Sequence, residues 1–441
     1  VNKILIANRG AIARRIIRAC NELGIQSVAL YSEADEGSPY LAEASEAFQL
    51  AGNDVSETYL NQDAIFSIAT QSDADALHPG YGFLAENADF ATRVIEAGMQ
   101  FIGPMPAVLA RMGDKVSGRQ VMQESGFPVF AGTGLIEDPD AVIELAEEIG
   151  YPLVVKPTGG GGGMGMVVVE SAAGLRVAVQ QASAVAAKAF AAPGVYLEKW
   201  IHNPRHVEFQ IIGDNEGHCI HAFDRECSVQ RRHQKLIEES PTPGLDLGYL
   251  ATQADLAATT CAKLGYSSLG TVETLVIGDE MGFLEMNTRI QVEHGVTEEV
   301  TGLDLVQLQI DLARGGRLPE QGEIERQGYA IEARLYAEDS TTMFPSTGEL
   351  RVFRAPEMYG VRIETGYQEG QSIMPYYDPL LAKVIASGTT REQAIGRLTV
   401  ALRAYDVRGV STNADLLGSI LQSDRFLAGN VDTGIVDDLR Q

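Results

Sequence analysis

Apolar residues in the first hundred positions fall into short runs separated by amphipathic stretches. Ile4–Ala7 is a run of strand length, followed by the turn Asn8-Arg9-Gly10. Ile12, Ile16, Cys20 and Leu23 then recur at helical spacing, and Gly24 marks the stop. Ser27–Tyr31, Ala74–Leu77 and Gln100–Ile102 read as further strands, so the segment predicts a βαβ rhythm and a parallel sheet covered on both sides. A helical stretch over Pro106–Ser125 leads into a second unit. There Tyr151–Lys156 and Met166–Val169 are β-rich runs joined by glycines, and residues 172–192 are Ala-rich and helical. This predicts a small α+β lid with a long mobile hairpin tip. Beyond residue 203 strands dominate. His206–Ile211 alternates polar and apolar as a half-buried strand does, and a hairpin follows over 271–287. A helix over Leu303–Leu312 precedes short strands at Leu350–Phe353, Val361–Glu364 and Leu380–Ile385. The last helix opens on a capping box, Thr390-x-x-Gln393, and sets Ile395, Leu398, Leu402 and Tyr405 on one face.

At 441 residues the chain exceeds one ordinary core, so two or three domains are expected. A net charge of -26 argues against nucleic acid or an anionic membrane as partner, and makes any local group of cations informative. Four scattered cysteines without a C-x-x-C pair suit reduced thiols in the cytoplasm, and no apolar run is long enough to span a membrane. The Asn8-Arg9-Gly10 turn lacks the G-x-G-x-x-G of a dinucleotide site.

Four stretches carry chemistry. If the 271–287 hairpin pairs symmetrically about Asp279, with Gly278–Gly282 as its turn, Glu273 lies opposite Glu285 and Asn287 shares their face. Like charges across a ladder repel, and among apolar neighbours a cation between them resolves the conflict. Two carboxylates and an amide oxygen suit Mg2+ or Mn2+; the plain alternative is one glutamate facing solvent. The run Gly159–Gly165 is not a Walker A loop, but it can bring backbone N–H groups to phosphate, with Lys156 as a point charge, unless it is only a linker. The basic run Arg225–Lys235 is an anion site or a solvated face, with Cys227 a buried small side chain rather than a nucleophile. Arg289, Gln291 and Glu293, spaced by two, point the same way on an extended chain and either bind an oxyanion beside a base or form a surface ion pair.

In order along the chain, Ile6–Gly10, His78–Leu84, Met112–Lys115, the Lys156-to-Gly163 loop, Asn203–Glu208, Gln230–Lys235 and Glu285–His294 resemble the biotin carboxylases, the ATP-grasp components of carboxylases such as acetyl-CoA or acyl-CoA carboxylase. The resemblance implies an α/β and α+β chain of ATP-grasp fold. It divides into a parallel-sheet preATP-grasp domain (1–112), a helical linker (113–130), a glycine-loop lid (131–202), a catalytic subdomain (203–325) and a mixed β domain (326–441). It implies the union of ATP and bicarbonate to carboxyphosphate and then N-carboxybiotin. Lys115, Lys156, Gly162, Gly163 and His206 would contact phosphates; Glu198, Lys199 and Ile201 would line the adenine pocket, with Gln230 and His233 near the ribose. Glu273, Glu285 and Asn287 would hold two divalent ions. Lys235, Arg289, Gln291 and the Val292 backbone would bind bicarbonate, Glu293 would deprotonate it, and Arg334 would stabilise the biotin enolate. Met164, Thr274, Gly295 and Ala11 stand where the family usually has Arg or Lys, Phe, Pro and Glu. No Ala/Val-Met-Lys-Met biotinylation motif is present, so the biotin carboxyl carrier and carboxyltransferase are expected on other chains or on a part cut away, and a homodimer is expected.

Overall fold

The computed structural model describes residues 1–138, 141–159, 163–190, 194–339 and 341–440. Strands β1 (Lys3–Ile6), β2 (Gln26–Tyr31), β3 (Glu46–Gln49), β4 (Ala76–His78) and β5 (Gln100–Phe101) form a parallel sheet in the order β3-β2-β1-β4-β5. The helix Gly10–Glu22 buries Ile12, Ile16 and Cys20 against it, as their spacing predicts. The edge strand β3 was not foreseen, because Glu46-Ala-Phe-Gln is short and half polar.

The stretch over 106–125 is two helices, Pro106–Gly113 and Lys115–Glu124, because the Asp114 carboxylate caps the second by accepting from the Ser117 N–H. Next come β6 (Leu153–Pro157), β7 (Val167–Val169) and β8 (Val195–Lys199), an antiparallel sheet backed by helices Val142–Ile149 and Ala172–Phe190. Leu153, Val155, Val169, Leu175, Ala178 and Leu197 give this small sheet a core of its own.

The remaining strands build one antiparallel sheet of eight. It contains β9 (Arg205–Gly213), β10 (Cys219–Arg231), β11 (Gln234–Ser240), β12 (Ser268–Ile277), β13 (Glu280–Asn287) and β14 (Tyr329–Tyr336). After two short ribbons, β15 (Gly348–Glu349) with β18 (Ser372–Ile373) and β16 (Val352–Arg354) with β20 (Asp406–Arg408), it is completed by β17 (Val361–Glu364) and β19 (Leu380–Gly388). The order is β13-β12-β9-β10-β11-β14-β19-β17, so the sheet runs unbroken across residues 325–326 through the β11–β14 pairing.

Three expectations change here. β9 is buried on both faces. Val207, Phe209 and Ile211 enter the core under helix Leu247–Lys263, while Glu208 and Gln210 meet the buried Arg225 guanidinium. Its polar alternation therefore marks an internal polar layer, not a wet face. The 271–287 hairpin turns at Gly278-Asp279, since Ile277 pairs with Glu280. A bulge between Glu273 and Thr274 then restores the Glu273–Glu285 pairing, so the expected opposition holds by a different route. Finally, Arg289 to Glu293 is not an extended segment: Glu293 has φ -81 and ψ 11 and sits at the N-terminal boundary of an unforeseen helix, His294–Thr301, without a side-chain capping bond.

Candidate active site

One cavity of about 910 Å³ opens between the three sheets. Most of the expected residues line it: Lys115, Lys156, Gly163, Glu198, Lys199, Ile201, His206, Gln230, His233, Lys235, Glu273, Glu285, Asn287, Arg289, Gln291, Val292, Glu293 and Arg334. Gly162 lies outside the described residues.

The basic run Arg225–Lys235 is a hairpin, not a solvated face. Arg225 is fully buried against Glu208, and Arg231 pairs with Glu338 at 2.7 Å. The turn residues Arg232 and His233 have positive φ. Past it, Lys235 Nζ reaches three carboxylates: Glu208 at 2.6 Å, Glu273 at 2.9 Å and Glu293 at 2.6 Å. Arg334, on β14, bridges Glu293 at 2.9 Å and Glu238 at 2.5 Å. Burial alone would push the Glu293 carboxyl upward; Lys235, Arg334 and Arg225 outweigh it and hold the group well below the usual carboxylate range. Cys227 stands beside this hub with its thiol pushed up by burial, which fits an inert side chain.

Across the hairpin, the Glu273 and Glu285 side chains are 7% and 28% exposed. Each has found its own cation. Glu273 also lies 3.0 Å from His206 Nε2 and accepts from Asn287 Nδ2 and Gln291 Nε2, while Glu285 sits 3.0 Å from Lys115. Burial opposes ionisation of Glu273, but Lys235 and His206 depress its carboxyl strongly. The repulsion that the register implied is thus relieved by protein cations in this structure. The oxygen donors of Glu273, Glu285 and Asn287 still suit a hard divalent ion, which would compete with Lys235 and Lys115 for them.

Arg289 closes the ring: Nη1 donates to Gln291 Oε1 at 2.9 Å, Nη2 to Asn287 Oδ1 at 2.7 Å, and Nε to Glu86 Oε2 at 3.0 Å. At the opposite end Lys156 and Arg119 both hold Glu198. Lys199 Nζ donates to the carbonyls of Gly150 and Tyr151. Gln230 Nε2 is 2.7 Å from His206 Nδ1. Gly163, at φ +76, comes so close to His233 that an added Cβ would lie 2.5 Å from its Cδ2. The lid therefore touches the main sheet through a glycine.

Of the unusual residues, Met164 is exposed and Ala11 lines the cavity. The Thr274 hydroxyl donates to the Val207 carbonyl, away from Glu273. Glu86, Glu208, Glu238, Arg119 and Lys383 were not foreseen. For Glu208 the available signal was a carboxylate between the apolar Val207 and Phe209, while Glu238, followed by Glu239 and Ser240, offered none.

A parallel-sheet domain, a hairpin lid and an antiparallel sheet that meet around paired carboxylates and lysines define the ATP-grasp class. Residues 1–109 and 332–438 match the family descriptions "Biotin carboxylase, N-terminal domain" and "Biotin carboxylase C-terminal domain". Residues 114–321 match "Carbamoyl-phosphate synthase L chain, ATP binding domain". A biotin carboxylase of Halalkalibacterium halodurans is 46% identical over 437 residues, covering 98% of this chain and 97% of that one. The Campylobacter jejuni biotin carboxylase solved with β,γ-ATP superposes with TM-score 0.97 at 41% identity, covering 99% and 98% of the two chains. The biotin carboxylase domain dimer of Hydrogenobacter thermophilus 2-oxoglutarate carboxylase, solved with MgADP, ADP and bicarbonate, gives 0.96 at 41%, covering 99% and 97%. The chain belongs to the biotin carboxylase family.

Proposed function

We propose that this ligase joins bicarbonate to ATP and carboxylates biotin on a carrier protein. A bicarbonate oxygen bonds to the γ-phosphorus as the bond from that phosphorus to ADP breaks; the resulting carboxyphosphate passes its carboxyl group to a ureido nitrogen of biotin, and the phosphate departs with the ureido N–H proton. The observation that carries this reading is Glu293 held between Lys235 and Arg334, at 2.6 and 2.9 Å, in one cavity with the Glu273–Glu285 pair.

In the resting site Glu293 is a weak base, because Lys235, Arg334 and Arg225 stabilise its charge. An anion that draws Lys235 and Arg289 to itself raises the proton affinity of Glu293, so substrate binding activates the base. Gln291 and the Val292 backbone orient bicarbonate, and Arg334 passes from Glu293 to the biotin enolate. Lys115, Lys156, Gly163 and His206 meet the phosphates; Glu198, Lys199 and Ile201 border adenine, with Gln230 and His233 by the ribose. Glu273, Glu285 and Asn287 hold two ions, Mg2+ or Mn2+, which when bound neutralise phosphate charge. We assign residues 1–112, 131–202, 203–325 and 326–441 to the N-terminal, lid, catalytic and C-terminal parts, with 113–130 as linker. The partners are a biotin carboxyl carrier, a carboxyltransferase and a second copy of the chain, in the cytoplasm; among the described residues no helix is long and apolar enough to cross a membrane.

ATP cleavage measured with and without bicarbonate and free biotin tests the reading. Turnover that needs bicarbonate and rises with biotin is expected. Turnover indifferent to both identifies a different ATP-grasp carboxylate–amine ligase, and none at all identifies an ATP-sensing subunit.

A further inference from the structure

The turn that carries the proposed base is gripped from behind by a strand of the C-terminal part. Lys383, on β19, is 1% exposed, and its Nζ donates to the Val292 carbonyl at 2.6 Å. Its counterion is Glu364, 2.7 Å away, with Glu332 at 3.8 Å. Two residues along the same strand, Ile385 Cδ1 stands 2.4 Å from the place a Cβ on residue 295 would take, so glycine at 295 lets helix His294–Thr301 sit directly on β19. The neighbouring peptide is held as well: burial keeps His294 neutral, and its Nδ1 donates to the Gln291 carbonyl at 2.7 Å. Both planar peptides of the Gln291–Glu293 turn are therefore fixed through their carbonyl oxygens, and the Val292 N–H must point away from His294.

A buried ammonium is costly, and an apolar side chain would fill this place more cheaply unless the donor has a task. Glu364 does not require it, since Arg362 and Arg18 also pair with that carboxylate. What Lys383 alone among these cations reaches is the Val292–Glu293 peptide.

We propose that Lys383 is a positioning residue for bicarbonate activation, setting the rotation of the Val292–Glu293 peptide and thereby the direction of the Glu293 carboxylate and of the Val292 N–H. The inference rests on the bicarbonate reading of this turn. It extends the active site to β19, which contributes no group to the cavity wall at this position.

The test compares wild type with Lys383→Met, Lys383→Arg and Glu364→Gln in the full chain, by steady-state ATP cleavage at varied bicarbonate and varied ATP, with thermal melts as the check on folding. Lys383→Met is expected to raise the KM for bicarbonate or lower kcat by about tenfold to a hundredfold at unchanged KM for ATP, because a misplaced catalytic group costs rate without touching the nucleotide. Lys383→Arg restores part of the loss, and Glu364→Gln, which loosens the lysine without altering the turn, gives a smaller loss of the same kind. A folded Lys383→Met enzyme with wild-type bicarbonate kinetics overturns the proposal. So does a parallel loss in the bicarbonate and ATP terms. If Lys383→Met does not fold, Glu364→Gln decides: unaltered bicarbonate kinetics there reject the idea. Should wild-type turnover ignore bicarbonate, the functional reading itself fails, which is a separate and visible result.

Discussion

The two ends of the cavity are built differently. At the Glu293 end Glu208, Lys235, Glu238, Glu273 and Arg334 come from four strands of one continuous sheet, β9, β11, β12 and β14. Every charge there already has an opposite partner within 3.0 Å. At the Lys156 end the groups come from separate elements: Lys156 and Glu198 from the β6–β8 sheet, Lys115 from a helix, His206 and Glu285 from the main sheet, and His233 from the turn between β10 and β11. The β6–β8 sheet has its own hydrophobic core, separate from that of the main sheet. The difference separates the tasks. At the Glu293 end one sheet holds each cation beside its carboxylates, so a bound anion has only to exchange one partner for another, while at the other end the groups are assembled from separate elements.

The largest expected effect breaks the Glu293 end. Glu293→Gln should lower bicarbonate-dependent ATP cleavage by about 10²–10⁴-fold, the usual contribution of a general base. Lys235 keeps Glu208 and Glu273, and Arg334 keeps Glu238, so the fold should survive, as a melt would show. Full activity in this variant would remove Glu293 as the base.

A smaller effect is expected at the other end. Gly163→Ala places a methyl against His233 and demands a left-handed backbone from alanine, which costs about 1–2 kcal/mol. ATP should bind several-fold more weakly while the KM for bicarbonate changes little; equal effects on both would erase the contrast between the ends.

The smallest effect is a pH signature. Burial, reinforced by Glu238, pushes the Glu332 carboxyl up to about 8 from its ordinary 4.5. Stability from this group is present below the unfolded value and lost as pH rises through the folded one. Glu293, held low, acts with the opposite sign: its contribution is present above the unfolded value and lost as pH falls. Replacing Glu332 with Gln should therefore flatten the fall of melting temperature between about pH 5 and about pH 9. An unaltered slope would show that Glu332 ionises in the fold as it does in the open chain.

Local order in the chain was enough for much of the fold. Hydrophobic spacing located the first helix, four of the five strands of the parallel sheet, the paired strands β6 and β7 and the Ala-rich helix after them, because periods of 2 and 3.6 residues are set by backbone geometry alone. The opposition of Glu273 and Glu285 was legible too, although the chain reaches it through a tight turn and a bulge at Glu273–Thr274 that no local pattern announces. The alternation at His206–Ile211 misled, since a polar face reads the same whether water or Arg225 lies against it. The sequence by itself determined which residues could ionise, donate or bend, and so the candidate chemistry. Tertiary structure decided which charges share a proton, a counterion or a peptide: Lys235 meets Glu208, Glu273 and Glu293 across 27 to 58 residues, and Lys383 reaches Val292 across 91. Such pairings depend on strand register over long separations, and electrostatic energies fall off with distance in space, not along the chain.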